Sequence, residues 1–340
     1  MHIKRRGPRA AALIALLVFA VPACSAGSTA GTGSGSGEDG ALDIALTGEP
    51  ANLDFTTTSG SAIPQALMGN VYEGLVTIDQ DGSIAPLLAE SWDLSEDRTT
   101  YTFHLQPNVT FSNGSPFNAE TVKFSIERVK SDEWQNGMKS KMDIVDSVTA
   151  VDDQTVEVQL SRPSNAWLWD MGTLVGAQFS PDGVENLEST AVGTGPYTVE
   201  NWAQGQSITL AAHEGYWGEA PKSATVNLRY FDDAVATTNA LSSGDVDVVQ
   251  NVQAPELLAS FEENDDFQVI EGTSPGKIML PLNNKQEPFD DVRVRQAVLY
   301  ALDRQNIVDT AWAGYGTPAI SYVNRFHNSR YSSSEPLRHT

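Results

Sequence analysis

The chain has 340 residues, of which 40% are hydrophobic, and its 21 basic and 44 acidic residues give a net charge of −23. A surface this acidic argues against binding to nucleic acid and against lying flat on anionic lipid. The length and the apolar content allow a large buried core and predict two or more domains.

The N-terminus has the layout of a secretory signal peptide. A basic segment at residues 4–9 precedes an uncharged apolar run at residues 10–21, and the sole cysteine, Cys24, follows after Pro22 and Ala23. The run is short for a membrane span. Residues 21–24, Val-Pro-Ala-Cys, resemble the lipobox of bacterial lipoproteins, in which cleavage leaves an acylated cysteine at the new N-terminus. We therefore predict a lipoprotein signal peptide at residues 1–23 and lipidation of Cys24. Cleavage at an ordinary small-residue site, with Cys24 incidental, is the alternative.

Residues 24–40 are almost all small or polar, which predicts a flexible Gly/Ser tether between a lipid anchor and the folded part. Loss of the signal peptide removes four basic residues and no acid, so the net charge of the remaining chain becomes −27.

Alternating apolar and polar residues predict the strands. They are residues 41–46, 100–105, 224–230, 267–271 and 277–282, with hairpins at 147–160, turning at 152–154, and at 197–212, turning around 203–206. In residues 100–105, Tyr101, Phe103 and Leu105 share one face. His104 lies on the polar face, where we expect a solvated side chain rather than a metal ligand.

Three helices are predicted from caps and apolar stripes. Asn118 caps a helix with Val122, Ile126 and Val129 on one face, and a second helix runs from residue 233 to 242 and ends at Gly244. Asp290 caps the third, whose apolar face consists of Val294, Ala297, Val298 and Ala301. Helices mixed with strands predict α/β lobes with mixed sheets rather than a barrel or a bundle.

Catalytic motifs are weak. Residues 272–276 match G-x-S-x-G, but Pro275 has no backbone N–H to donate to an oxyanion. The five histidines never fall at helical i, i+4 spacing, and no phosphate-binding loop is present. We therefore predict a protein that is not an enzyme, with no cofactor and no metal site.

The middle of the chain contains a series of specific motifs. In chain order they are NVYEGL (70–75), LAESWDLSEDRTTYTFHL (88–105), VTFSNGSPF (109–117), a helix ending in IER (126–128), VGTGPY (192–197), YWG (216–218), LSSGDVD (241–247), FDDVRVRQA (289–297) and YALDR (300–304). Together they resemble the extracellular solute-binding proteins of family 5, the peptide- and nickel-binding components of ABC importers. The resemblance covers residues 41–318.

That resemblance implies the two-lobed clamshell of periplasmic binding proteins, with mixed sheets and an inserted subdomain. The first lobe would comprise residues 41–58 and 171–269, the insertion residues 59–170, and the second lobe residues 270–340. Solute would lie between the lobes as they close. The protein would be anchored by lipid to the outer face of the cell membrane, where it would capture oligo- or dipeptides and deliver them to membrane permease subunits.

Five residues are our candidates for contact with the ligand. Glu49 and Asn52 follow the first strand, where open α/β sheets bind ligands, and could bond a peptide's ammonium group and backbone. Trp134 could pack against a ligand side chain, and Thr273 and Lys277 could line the crossing between the lobes. For each, an ordinary loop or surface residue is the alternative.

Most of the shared motifs have structural explanations. Residues 112–114, Ser-Asn-Gly, are typical of a turn. We expect Trp92, Trp202 and Trp217 to anchor the core or a sheet face. Two other ligands, a nickel chelate and a small sugar, stay open, and so does a role as a peptide sensor or presenter without import.

The end of the chain departs from the family pattern. The resemblance fades after residue 319, and residues 325–340 carry three arginines against one acid, without apolar periodicity. A truncated second lobe is expected, from a frameshift or a truncated gene, with a naturally short variant as the alternative. The strand at 277–282 and the helix after Asp290 would then lack partners, and solute affinity would be weak or absent.

Overall fold

The computed structural model describes residues 2–5, 41–272 and 278–319. Their strands are β1 (His2–Arg5), β2 (Ala41–Leu46), β3 (Val76–Ile78), β4 (Ile84–Pro86), β5 (Ala89–Leu94), β6 (Thr100–Leu105), β7 (Val145–Asp152), β8 (Thr155–Leu160), β9 (Tyr197–Ala203), β10 (Ser207–Ala212), β11 (Thr225–Tyr230), β12 (Val248–Val249) and β13 (Phe267–Ile270). The helices are α1 (Ala62–Leu67), α2 (Ala119–Lys130), α3 (Trp167–Asp170), α4 (Ala234–Ser243), α5 (Ala259–Glu262), α6 (Val292–Ala301) and α7 (Arg304–Ala311), with short 3₁₀ helices at Gly137–Met142, Leu174–Gly176, Pro181–Gly183 and Pro255–Leu257.

The largest sheet in these residues has seven strands in the order β13-β1-β12-β2-β11-β10-β9. Strand β2 is parallel to both its neighbours, β11 and β12, and the remaining pairs are antiparallel. The hairpin of β9 and β10 turns at Gly205, whose φ of +78° suits glycine. The predicted strands at 41–46, 224–230 and 267–271 and the hairpin at 197–212 are confirmed, within one residue at their ends.

A second sheet has four antiparallel strands in the order β5-β6-β8-β7. In β6, Tyr101, Phe103 and Leu105 are buried as the alternation predicts. His104 lies on the exposed face, with Nε2 3.0 Å from Asp93 Oδ2. The predicted hairpin at 147–160 is confirmed as β7 and β8.

Helix α2 packs against β7 and β8, and its sequence explains where it begins. The Asn118 side chain accepts hydrogen bonds from the backbone N–H groups of Glu120 and Thr121, and the Thr121 hydroxyl oxygen accepts one from the Asn118 N–H. This reciprocal capping box satisfies N–H groups that the first turn leaves free. The predicted apolar stripe, Val122, Ile126 and Val129, is fully buried.

One hydrophobic core spans both larger sheets. At its centre, the rings of Phe55, Tyr72, Trp134 and Phe179 lie 5.2–6.3 Å apart. Burying one such side chain contributes about 1.5–3 kcal/mol. The three predicted anchors Trp92, Trp202 and Trp217 also pack against this core, as expected. A smaller second cluster contains Leu241, Val249, Leu258 and Phe261, around α4, β12 and α5.

Residues 70–74 lie close to the backbone of residues 193–197. The N–H of Gly195 donates to the carbonyl of Val71, and that of Tyr197 to the carbonyl of Asn70, both at 2.9 Å. A Cβ at Gly193 would lie 1.8 Å from the Val71 oxygen, so a side chain cannot be accommodated there. Two of the shared motifs, NVYEGL and VGTGPY, are therefore joined backbone to backbone.

Residues 278–319 differ from the sequence prediction in two ways. The described part of the strand predicted at 277–282 forms no strand, and that prediction is wrong: Ile278, Met279 and Leu280 are 57–76% exposed and pair with no described strand. The helix predicted from Asp290 begins one residue later, because Asp291 is the residue whose carboxylate accepts the N–H of Arg293. No side chain of α6 or α7 is buried.

Strand β1 falls in the predicted signal peptide. Cys24, the tether at 24–40 and the tail at 325–340 lie outside the described residues, and the division into lobes and insertion stays a prediction. Within the described ranges, no helix is long and apolar enough to cross a membrane.

Candidate functional site

The carboxyl ends of the three parallel strands β2, β11 and β12 lie on one edge of the large sheet. We call this edge, with the loops at residues 47–54, 231–233 and 250–254, the carboxyl edge. Open α/β sheets bind ligands in this position. The Phe231 N–H donates to Leu46 O at 2.9 Å, and the Gln250 N–H to Ala45 O at 3.1 Å. The three loops are therefore held side by side.

Glu49 pins the first of these loops to the turn of the β9–β10 hairpin. Its carboxylate accepts a hydrogen bond of 3.0 Å from Trp202 Nε1 and bonds of 2.8 and 2.9 Å from the backbone N–H of Gly205. A carboxylate has spare lone pairs, so these bonds leave room for one further donor. Contact between Glu49 and a ligand stays a prediction.

Tyr230, the last residue of β11, ends beside Glu49. Its hydroxyl oxygen is buried and has no hydrogen-bond partner among the described residues. Burial and, to a smaller extent, the Glu49 charge raise the pKa of this phenol above its ordinary value. Buried hydroxyls without a partner are rare, because the lost hydrogen bond is costly. Tyr230 is thus a buried polar group without a described partner next to the carboxyl edge, and no sequence motif pointed to it.

Asn52 ties its own loop together. Its Nδ2 donates to Thr58 Oγ1 at 3.0 Å, and its Oδ1 accepts the N–H of Asp54 at 2.9 Å. Asp54 is 7% exposed and accepts three bonds, from the Thr56 N–H, the Thr56 hydroxyl and the Thr57 hydroxyl. These hydrogen bonds hold the loop together internally. Ligand contact by Asn52 stays a prediction.

A cavity of about 400 Å³ lies against this loop. It is lined by Asp54, Thr57, Arg128, Asp132, Glu133, Gln135 and residues 184–188, which include Glu185 and Glu188. Five carboxylates face one guanidinium, and Arg128 is only loosely paired, with NH1 3.6 Å from Glu133 Oε2. Such a lining attracts groups that carry positive charge. The sequence could not reveal this grouping, because residues from three distant segments form it.

The other candidates lie elsewhere. Trp134 is 1% exposed and packs edge-on against Phe55 at 5.9 Å and Phe179 at 6.3 Å between ring centres. In this structure its ring is part of the core, and a ligand contact stays a prediction. Thr273 and Lys277 lie outside the described residues. The structure thus places Glu49 and Asn52 in one loop, and Trp134 packs against Phe55, the residue that follows this loop.

The buried carboxylate that sequence reasoning missed is Glu73. It is 3% exposed and accepts hydrogen bonds from Tyr216 OH at 2.9 Å, Trp217 Nε1 at 2.9 Å and Thr194 Oγ1 at 2.8 Å. Burial raises the pKa of this carboxyl, and the three hydrogen bonds partly oppose the shift. Glu73 joins three of the shared motifs, NVYEGL, VGTGPY and YWG, through one hydrogen-bond network.

No three His, Cys, Asp or Glu side chains in the described ranges lie together in a way that would hold a metal ion.

Comparison with known proteins gives a consistent result. The family model for bacterial extracellular solute-binding proteins, family 5 Middle, matches residues 83–337. The glutathione-binding protein GsiB of Pectobacterium atrosepticum is 28% identical over 289 residues, which cover 82% of this chain and 56% of the relative. GsiB of Salmonella typhi is 29% identical and covers 79% of this chain and 54% of the relative. This chain spans about half the length of the curated relatives that it matches.

Solved structures agree. NikZ from Campylobacter jejuni, in complex with Ni(L-His), superposes with a TM-score of 0.72 at 26% identity, over 81% of this chain and 55% of that one. DppA from Helicobacter pylori, in complex with the peptide STSA, has a TM-score of 0.69 at 25% identity, over 81% and 59%. The mixed α/β architecture is therefore that of the two-lobed periplasmic binding proteins, as the resemblance implied.

Proposed function

The chain belongs to family 5 of the bacterial extracellular solute-binding proteins, and on that premise we propose that it captures short peptides outside the cell and delivers them to the permease of an ABC importer. The observation that carries the proposal is the family match over residues 83–337, joined to relatives named for glutathione, which is itself a tripeptide. The protein works by binding and release, without a chemical step.

The charge around the candidate site supports a peptide ligand. A peptide has one ammonium group and a series of backbone donors and acceptors. The carboxylates that line the cavity, including Asp54 and Glu185, attract the ammonium group and speed its approach. The spare acceptor capacity of Glu49 suits a donor group of the peptide at the carboxyl edge.

The proposal includes attachment to the outer face of the cell membrane through Cys24. The N-terminal sequence of basic segment, apolar run and sole cysteine motivates it. We expect Cys24→Ser to move the protein from the membrane fraction to the soluble fraction of cells that export it. Equal membrane association of both forms would show that Cys24 is not the anchor.

A nickel chelate is the second candidate, because the similar structures include proteins bound to nickel or named for it. Among them are NikZ and a nickel ABC transporter protein from Bacillus halodurans, which is 29% identical with a TM-score of 0.68. A chelate brings most of the metal's ligands itself, so it needs few ligands from the protein.

Mass spectrometry of retained solutes separates these candidates. The full chain is purified without added ligand, denatured, and its released small molecules are identified. Calorimetry then titrates the same protein with glutathione, with di- and tripeptides, and with nickel–histidine. We expect peptides to be recovered and to give saturable heats, and Glu185→Gln to weaken binding about two- to tenfold through lost attraction, while the exposed control Glu219→Gln leaves it unchanged. Recovery of a nickel chelate or a sugar with no peptide would overturn the proposal.

A further inference from the structure

A second cavity, of about 340 Å³, lies beside the start of β7 and the end of β8. It is lined by the end of the 3₁₀ helix at Gly137–Met142 with the two residues that follow, by the loop after β8, and by α3. It shares no residue with the carboxyl edge or with the cavity beside Asp54. Small-molecule sites commonly have volumes of about 300–1,000 Å³, so this cavity has room for a small solute.

The charges that line this cavity balance. They are two basic residues, Lys141 and Arg162, and two acidic residues, Asp143 and Asp170, with three serines, at positions 140, 161 and 164, between them. The cavity beside Asp54 is different, because five carboxylates there face one guanidinium. A lining of one sign attracts ions of the opposite sign, whereas a lining that carries both signs is complementary to a solute that carries both.

Some of these polar groups have bonding capacity that the protein does not use. Asp170 is 7% exposed, and its carboxylate has one partner among the described residues, Lys141, whose Nζ lies 3.2 Å from Oδ1. A carboxylate can accept about four hydrogen bonds. The guanidinium of Arg162 bonds to no described residue. Trp167, another lining residue, has a buried indole N–H without an acceptor among the described residues.

The walls of the cavity are held in place by other contacts. The N–H and the hydroxyl of Ser161 both donate to the carbonyl of Ile144, at 2.9 and 3.1 Å. Ser164 Oγ accepts the N–H of Trp167 at 3.2 Å, at the start of α3. The Trp167 ring, which is 1% exposed, packs 5.0 Å from the ring of Tyr101. Walls that are ordered before binding lower the entropy lost when a solute enters.

We propose that this cavity binds a free α-amino acid, at a site separate from that of the transported solute. The Arg162 guanidinium donates to the α-carboxylate through two parallel N–H groups, as its planar fork favours. The Asp170 carboxylate accepts N–H groups of the α-ammonium, and Asp143 adds attraction for the same group. The serine hydroxyls favour a polar amino-acid side chain. The site does not rest on the proposed transport role.

Calorimetry on the dialysed full chain tests the ligand class. The probes are L-serine, L-asparagine and L-glutamine. Ethanolamine and 3-hydroxypropanoate are the matched controls, because they keep the serine side chain but lack the carboxylate and the ammonium group respectively. We expect saturable binding of L-serine, and binding of each control weaker by about tenfold or more, since each loses one charged pairing. No saturable binding of any probe, or a control that binds as well as L-serine, would overturn the proposal.

Substitution of Arg162 tests the location. Arg162→Gln removes no described contact, so the fold stays intact, and we expect it to weaken L-serine binding by about ten- to a hundredfold. Lys222→Gln, an equal change of charge at an exposed residue outside the cavity, is the control and should leave the affinity unchanged.

A second pair of variants addresses the other half of the site. Asp170→Asn should also weaken L-serine binding, and Asp146→Asn, at an exposed residue of β7, should not. Unchanged affinity in Arg162→Gln, or displacement of L-serine by glutathione, would overturn the proposal. A chain that binds no peptide would refute the proposed transport role and leave these results interpretable.

Discussion

Helices α2 and α6 have similar lengths and each begins with a side-chain cap, yet they differ in what they bury. In α2 one face is sealed against β7 and β8, with Val122, Ile126 and Val129 fully buried. In α6 the equivalent apolar stripe, around Val294 and Val298, contains no buried residue. A side-chain cap and a helical period of apolar residues are therefore enough to specify a helix. Its apolar face stabilises the folded protein only when it packs against another element.

The same contrast holds for the regions around these helices. Residues 41–272 contain the buried members of both hydrophobic clusters and, apart from β1, every strand of the seven-stranded and four-stranded sheets. From residues 278–319, Tyr315 packs against the second cluster, and its hydroxyl donates a hydrogen bond to Glu262. We infer that the two regions differ in local stability, and the following variants test that difference.

The largest expected difference in the free energy of unfolding is between the truncation of a buried aliphatic residue and that of an exposed one. Ile126→Ala in α2 opens a cavity beneath the four-stranded sheet and should lower the free energy of unfolding by about 2–5 kcal/mol. Leu299→Ala in α6, at a side chain 51% exposed, should change it by less than about 0.5 kcal/mol. Urea unfolding of both variants measures the two values. Equal losses would mean that α6 is packed as firmly as α2.

The next prediction concerns the buried network around Glu73. Glu73→Leu leaves the donors of Thr194, Tyr216 and Trp217 without an acceptor and should cost about 2–4 kcal/mol of unfolding free energy. Glu73→Gln is the matched control, since an amide can accept from Trp217 and Thr194 and donate to Tyr216. It should cost less than the Leu variant when both are unfolded in urea at neutral pH.

The same pair gives a pH dependence with a definite sign. Because the folded protein raises the pKa of Glu73, it holds this proton more strongly than the unfolded chain does. The resulting stabilisation is complete below the ordinary pKa of a glutamate and is lost as the pH rises through the raised value. Glutamine does not titrate, so Glu73→Gln should gain stability relative to the unmutated protein as the pH rises above the ordinary pKa of a glutamate, about 4. A difference that stays constant, or moves the other way, would show that the carboxylate is not penalised by burial.

The smallest expected effect on stability comes from the removal of helix caps, and two caps are compared. Asn118→Ala removes the capping box of α2 and should lower global stability by about 1 kcal/mol. Asp303→Ala removes a similar bond to the N–H of Asn306 at the start of α7. There we expect faster amide exchange within α7 and an unchanged global unfolding midpoint, because that helix is not packed into the cooperative body. A shift of the midpoint by the Asp303 variant would place α7 inside that body.

Local features of the fold could be predicted from the sequence. The predictions that the structure confirms all depend on residues within a few positions of each other. They are the strands at 41–46 and 100–105, both hairpins, the Asn118 cap and the Gly244 end of α4. The strand predicted at 277–282 failed because a strand requires a neighbour, which an apolar run such as Ile278–Leu280 does not specify.

The candidate site could be predicted only in part. The loop after β2 was placed correctly by a rule about strand ends, but the partners of Glu49 are Trp202 and Gly205, more than 150 residues away. Trp134 could not be recognised as a core residue, since its neighbours Phe55 and Phe179 flank it from two distant segments. Side chains brought together by tertiary structure leave no local signal.

Limited trypsin digestion of the full chain under native conditions tests the contrast between the two regions most directly. Helices α2 and α6 both contain cleavage residues, Lys123, Arg128 and Lys130 in α2 and Arg293 and Arg295 in α6, and α7 adds Arg304. Proteases cut segments that open locally, so the order of cutting follows local stability. We predict that the first cuts fall at Arg293, Arg295 and Arg304 and leave a resistant fragment in which α2 is intact. Cleavage within α2 as early as within α6, or equal resistance of both helices, would contradict the account.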